Sequence, residues 1–149
     1  MEVRMGQGIS NEWRLEEATE ATANFLNKAE KPVIVCGSML IRVAEDKNAL
    51  IELIDASGYA FAVMLSSKGL VPELHPNFIR TYWGVISSDY CEDIVEAADA
   101  YVVVNPAFND ISSLGYTLLL IKERAVCFKI RRNSTCLRRV FAVFKDISS

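Results

Sequence analysis

Along the chain, apolar residues recur at helical spacing in three stretches and run continuously in four others, and the two patterns alternate. From Trp13 to Ala29, Leu15, Ala18, Ala21, Phe25, Leu26 and Ala29 fall three and four residues apart, with Glu16, Glu17, Glu20 and Lys28 between them. This spacing predicts an amphipathic helix. Ser10 or Asn11 suits its N-cap, the early glutamates suit the positive end of its dipole, and Lys28 suits the negative end. Val43, Leu50, Leu53 and Ile54 mark a second helix that stops at Ser57 and Gly58, where glycine takes the left-handed C-terminal position. Tyr90, Ile94 and Ala98, with Cys91 and Val95 beside them, mark a short third. Residues 1–9 contain two glycines and little to bury, and are expected to be flexible.

The continuous runs have the character of strands. Lys31-Pro32-Val33-Ile34-Val35-Cys36-Gly37 opens on a proline and closes on a glycine around β-branched residues, the pattern of a strand buried on both faces of a parallel sheet. Pro32 can begin such a strand but cannot sit inside it, having no N–H for the ladder. Tyr59 to Met64, Ala100 to Val104 and Ala125 to Phe128 follow. A β-α-β unit thus runs from Lys31 to Met64, and such crossovers are right-handed in nearly all cases. The segment Leu65 to Ser88, with Pro72, Pro76, Gly69 and Gly84, is predicted to be a long loop, and loops of more than about 12 residues are usually functional or held by a partner. Phe108 to Tyr116 is also loop-like. The alternation predicts an α/β fold, a three-layer α/β/α Rossmann-like domain with a parallel sheet. Its C-terminal part is expected to be incomplete, because the pattern fails beyond Lys129.

At 149 residues, one domain is expected. The sequence is 51% hydrophobic with a mean hydropathy of +0.18, yet no apolar run approaches the roughly 18 residues that span a bilayer. The first residues have neither the apolar core nor the cleavage site of a signal peptide, so a soluble, cytoplasmic protein is expected. Net charge is −3, but it is divided unevenly: residues 1–121 carry 8 basic and 17 acidic side chains, and residues 122–149 carry 8 basic and 2 acidic. The chain therefore divides into residues 1–9, a domain over 10–128, and a basic segment over 129–149.

Candidate chemistry lies where α/β sheets bind ligands, beyond the carboxyl ends of the strands: Gly37 to Leu40, Leu65 to Gly69 and Asn105 to Asp110. The first turn, Cys36-Gly37-Ser38-Met39-Leu40-Ile41, has one glycine where a dinucleotide fingerprint has three. Ser66-Ser67-Lys68-Gly69 has the composition of a phosphate loop without its frame. Asn109 and Asp110 after Pro106 are ordinary turn residues as much as polar ligands. Cys36, Cys91, Cys127 and Cys136 form no C-x-x-C pair and suit core positions in a reducing compartment. A Cys-His nucleophile pair would require the one histidine, His75, beside Cys36 or Cys91. Tyr82-Trp83 is a large aromatic body suited to a core edge or another domain. Arg131, Arg132, Arg138 and Arg139 could contact phosphates, but no aromatic residues interleave them, so nucleic acid is not the expected partner.

Several segments together point to a family. Lys31-Pro32-Val33-Ile34-Val35, Ser67-Lys68-Gly69-Leu70-Val71-Pro72-Glu73, His75-Pro76-Asn77-Phe78-Ile79, Thr81-Tyr82-Trp83-Gly84, Ala97-Ala98-Asp99-Ala100, Phe108-Asn109-Asp110 and Gly115-Tyr116 stand in this order. Over about Ser10 to Phe128, the chain resembles the central domain of the pyruvate decarboxylase family, of the plant type.

The resemblance implies a thiamine-diphosphate-dependent 2-oxo acid decarboxylase that converts pyruvate to acetaldehyde and CO2 with the aid of magnesium. In that family, a flanking domain supplies the activating glutamate and a histidine pair, and another supplies a Gly-Asp-Gly motif and an asparagine for the metal and diphosphate. The sequence contains neither a Gly-Asp-Gly motif nor a histidine pair. The chain alone is therefore expected to be non-catalytic, with no catalytic, cofactor-binding or metal residues of its own, because the carbanion chemistry belongs to the cofactor. The implied role is structural and regulatory, and the implied partners are the flanking domains or subunits of a homo-oligomer. In fungal members a cysteine after the first strand is linked to activation by substrate; Met39 stands near that position, so the switch is not carried over, and Cys36 is the nearest thiol. Some relatives bind FAD through this domain, and the weak glycine pattern argues against it here; an autonomous nucleotide- or flavin-binding module, on analogy of fold alone, is the alternative. After Phe128 the chain departs from the family pattern, and Val140 to Phe144 would be an aggregation hazard or a docking edge.

Overall fold

The five-residue runs rich in Val, Ile and Ala become the centre of a parallel sheet. The computed structural model describes residues 2–4, 10–37, 44–69, 71–83, 90–104 and 124–129. In chain order these form β1 (Glu2–Arg4), α1 (Ser10–Asn27), β2 (Pro32–Cys36), α2 (Ala44–Ser57) and β3 (Ala60–Met64), followed by a 3-10 turn (Leu65–Ser67). β4 (Phe78–Tyr82), α3 (Cys91–Glu96), β5 (Ala100–Val104) and β6 (Ala125–Lys129) complete them. The strands lie in the order β1-β6-β5-β2-β3-β4, and every pairing is parallel. Pro32 begins β2 opposite Ala100, where its missing N–H does least harm.

Both faces of the sheet are covered, which explains why the strands lack apolar and polar alternation. Ile34, Cys36, Phe61, Val63, Val102 and Val104 meet Leu26 of α1 and Leu50, Leu53 and Ile54 of α2 on one face. Val33, Val35, Ala62, Met64, Tyr101 and Val103 meet Cys91 and Val95 of α3 on the other. Strand order accounts for this division. The chain steps outward from β2 to β3 and back from β4 to β5, so crossovers of one hand place α2 and α3 on opposite faces.

Three expectations are corrected. Glu2–Arg4, within the segment expected to be flexible, pair in parallel with Cys127–Lys129. The expected loop from Leu65 to Ser88 contains β4, which extends the sheet beyond β3. Arg80 is exposed, and the register slips from Phe61↔Phe78 to Ala62↔Arg80, so a bulge at Ile79 breaks the alternation by which a strand shows in sequence. Helix faces also shift. On α1, Thr22, Ala23 and Leu26 are buried and Ala21 is exposed. Ala21 lies five residues before Leu26, on the opposite side of a 3.6-residue helix. On α3, Cys91 and Val95 are buried, as is Ala98 just beyond the helix, whereas Tyr90 is 78% and Ile94 45% exposed. The C-terminal end of α2 matches expectation: Gly58 has φ +66 and donates its N–H to the Ile54 carbonyl at 3.0 Å.

Candidate functional site

The carboxyl ends of β2 and β5 form the switch point, because the chain leaves β2 toward β3 and returns on its other side as β5. Gly37 sits there, buried, and donates its N–H to the Val104 carbonyl at 2.7 Å, continuing the β2–β5 ladder by one bond. Its own carbonyl accepts a short hydrogen bond from the hydroxyl of Ser67, which is fully buried at the end of the 3-10 turn. Both polar groups of Gly37 are thus satisfied within the protein. An N–H already bonded to a neighbouring strand is not available to cradle a phosphate. Gly69 turns the chain with φ +79, and Lys68 is exposed. Ser38 to Ile41, Asn105 to Asp110 and the arginines beyond residue 130 lie outside the described residues.

The thiols and the histidine do not come together. Cys36 is buried among Ile34, Phe61 and Val104, and burial raises its thiol to about 12. Cys91 is buried on the opposite face, and burial raises it to about 11. A nucleophilic cysteine requires the reverse shift. The partners of the His75 ring are instead a carboxylate and a backbone amide: Nε2 lies 2.8 Å from Asp55 Oδ1, and Nδ1 lies 3.1 Å from the Asn77 nitrogen. Phe61 meets the ring edge-on at 5.4 Å. This cluster stands at the amino end of the sheet, because Phe61 is the second residue of β3 and Asp55 belongs to the last turn of α2.

Two other carboxylates bind strands together. Asp99, just before β5, accepts the Glu30 N–H at 2.7 Å and the Lys31 N–H at 2.9 Å, just before β2. These bonds, that from Glu30 foremost, hold its carboxyl below the usual range. Glu96 accepts the Tyr82 hydroxyl at 3.4 Å, and its backbone carbonyl accepts the Tyr101 hydroxyl at 3.3 Å. Burial, reinforced by the charge of Glu92, raises the Glu96 carboxyl. Burial likewise raises the Tyr82 phenol, with Glu96 adding to it. Tyr82 is fully buried and Trp83 half-buried, so this aromatic pair serves the core edge. Sequence alone missed the Asp99 clamp, although a carboxylate directly preceding a buried strand was a usable signal.

The sequence matches the model of the family described as thiamine pyrophosphate enzyme, central domain, over residues 19–148. The chain belongs to this family. Pyruvate decarboxylase 2 of Pisum sativum is 60% identical over 118 residues, which are 79% of this chain and 29% of that protein. Pyruvate decarboxylase 2 of Oryza sativa subsp. japonica is 56% identical over 124 residues, 83% of this chain and 20% of the relative. For pyruvate decarboxylase 4 of Arabidopsis thaliana the identity is 60% over 118 residues, 79% of this chain and 19% of the relative. The chain thus spans less than a third of the length of these relatives. The family match also runs through the basic segment as far as residue 148.

A diphosphate held through a divalent cation needs convergent oxygen ligands. Among the described residues, no group of three or more His, Cys, Asp or Glu side chains could hold a metal ion. The Asp99 carboxylate already binds two backbone amides. No helix among the described residues is long and apolar enough to cross a membrane.

Proposed function

We propose that this chain serves as the scaffold domain of a thiamine-diphosphate-dependent decarboxylase acting on pyruvate, and that it is not catalytic alone. The observation that supports this reading is the engagement of both Gly37 polar groups at the switch point. Where a Rossmann-like sheet would receive a ligand, the Gly37 N–H bonds Val104, the Gly37 carbonyl accepts from Ser67, and Cys36 is a core residue. In this reading, the sheet holds apart and orients the flanking domains that bind thiamine diphosphate and magnesium. Its partners are those domains and the other subunits of a decarboxylase oligomer, in the cytoplasm. Residues 10–128 are the scaffold proper, and residues 129–149, which the family match covers as far as 148, are its basic C-terminal segment.

An autonomous flavin- or nucleotide-binding module is the competing reading, favoured by the presence of a switch point between β2 and β5. A thermal-shift screen separates the two. Ligand at about 100 times its dissociation constant stabilises a fold by about 2.7 kcal/mol. The scaffold reading expects no shift with FAD, NAD, nucleoside phosphates, or thiamine diphosphate with magnesium. A shift with FAD or a nucleotide supports the module, and a shift with thiamine diphosphate contradicts the scaffold reading outright.

A further inference from the structure

At the amino end of the sheet, the chain reaches β4 through two successive turns that pivot on His75. The His75 N–H donates to the Pro72 carbonyl at 3.2 Å, and the His75 carbonyl accepts the Phe78 N–H at 3.0 Å. The Asn77 carbonyl accepts the Phe61 N–H at 2.9 Å, which is the first bond tying this segment to β3. The imidazole pins the same residue from the other side, since the Asn77 N–H donates to Nδ1 at 3.1 Å. A nitrogen that accepts from an amide carries its lone pair, so the neutral ring has its proton on Nε2. That proton is donated to Asp55 Oδ1 at 2.8 Å.

We propose that His75 is an acid-released latch on β4: its neutral ring pins Asn77 and seats the edge strand, and protonation at Nδ1 unpins it. The two nitrogens respond oppositely to a proton. At Nε2, the imidazolium binds the Asp55 carboxylate more strongly, as a charge-assisted bond. At Nδ1, an acceptor becomes a donor and faces the donor N–H of Asn77. The ring therefore stays with α2 and the backbone leaves. Asp55 is the charged group in contact with the ring; Phe61 of β3 and Asn77 contribute no charge. Glu73 in the same loop and Glu52 one turn back on α2 are both exposed. The ring is reachable by protons from solvent, its side chain being 14% exposed. Release acts at an edge of the sheet, because among the described residues β4 pairs with β3 alone and carries the Ile79 bulge. β2 and β5, bonded on both sides, are left as they are.

The test is amide hydrogen exchange with NMR on the full chain between about pH 8 and pH 5, a range that brackets the ordinary imidazole titration. Rates are corrected for intrinsic pH dependence. Protection of the Asn77 and Phe61 amides is expected to fall by about fivefold on acidification, the factor that follows from losing one ordinary hydrogen bond. The midpoint should coincide with titration of the His75 ring protons, while β2 and β5 protection stays constant. Ring 15N shifts at pH 8 should report the Nε2–H tautomer. In His75→Gln the pH dependence should vanish. Constant wild-type protection across the His75 titration, or an Nδ1–H tautomer at pH 8, overturns the latch even if the variant does not fold.

Discussion

Asp99 shows how one side chain registers two strands without belonging to either. Its two oxygens take the amides of Glu30 and Lys31, fixing the start of β2 against the start of β5. Because the folded carboxyl titrates below its unfolded value, its stabilisation is complete above the ordinary carboxylate range, near pH 3.9. It is lost as the pH falls through the lower, folded value. Glu96 has the opposite sign: its carboxyl is raised on folding by burial and by Glu92, so in its window stability rises as the pH falls. We expect Asp99→Asn to lower the melting temperature at pH 7, with the gap from wild type closing below about pH 4 as the wild-type carboxyl protonates. A gap that is constant with pH would show that the charge is not what matters. Cys36 and Cys91 should resist alkylation in the native state and react on unfolding, as site-resolved mass spectrometry can check. Burial of Cys36 was legible in sequence, because it ends an apolar run, whereas Cys91 stands between Tyr90 and Glu92 and showed only beside the helical stripe of Ile94 and Ala98. The pairing of Asp99 with amides 68 and 69 residues away was not legible.

At the level of elements, sequence revealed what is continuous and concealed what is interrupted. β2, β3, β5 and β6 appear as apolar runs because both faces of the sheet are covered. β4 escaped notice because Phe78-Ile79-Arg80-Thr81-Tyr82 lies at an edge, half-exposed, with a bulge that shifts its period by one residue. The helices were recognisable, but their buried faces were less so. Alanines such as Ala21 have too little surface to decide orientation, whereas Leu26, Leu50, Leu53 and Ile54 lie in the core. Hydrogen exchange should rank the strands by their bonding, with β2 and β5 slowest and the edge strands β1 and β4 fastest. Equal protection of β4 and β2 would contradict the edge assignment. Phe61 joins β3, the His75 ring and Phe78 in one aromatic contact. Phe61→Ala is expected to cost about 3–5 kcal/mol in chemical denaturation, as for a fully buried aromatic. A cost under about 1 kcal/mol would mean that this corner is loosely packed.

For the whole molecule, the alternation of helix and strand indicated the fold class, while the strand order rests on long-range pairing that no local pattern encodes. β5 lies beside β2 rather than β4, and this placement creates a switch point at which Gly37 bonds Val104 and Ser67. The candidate site was therefore legible as a location, but the hydrogen bonds that engage Gly37 there were not. A Rossmann-like sheet whose Gly37 is bonded on both sides within the protein suits a domain that arranges others. The decisive measurement is acetaldehyde release by the purified chain supplied with pyruvate, thiamine diphosphate and magnesium, coupled to an alcohol dehydrogenase. The account predicts no rate above the protein-free control. Acetaldehyde formed in proportion to the amount of chain added would contradict it.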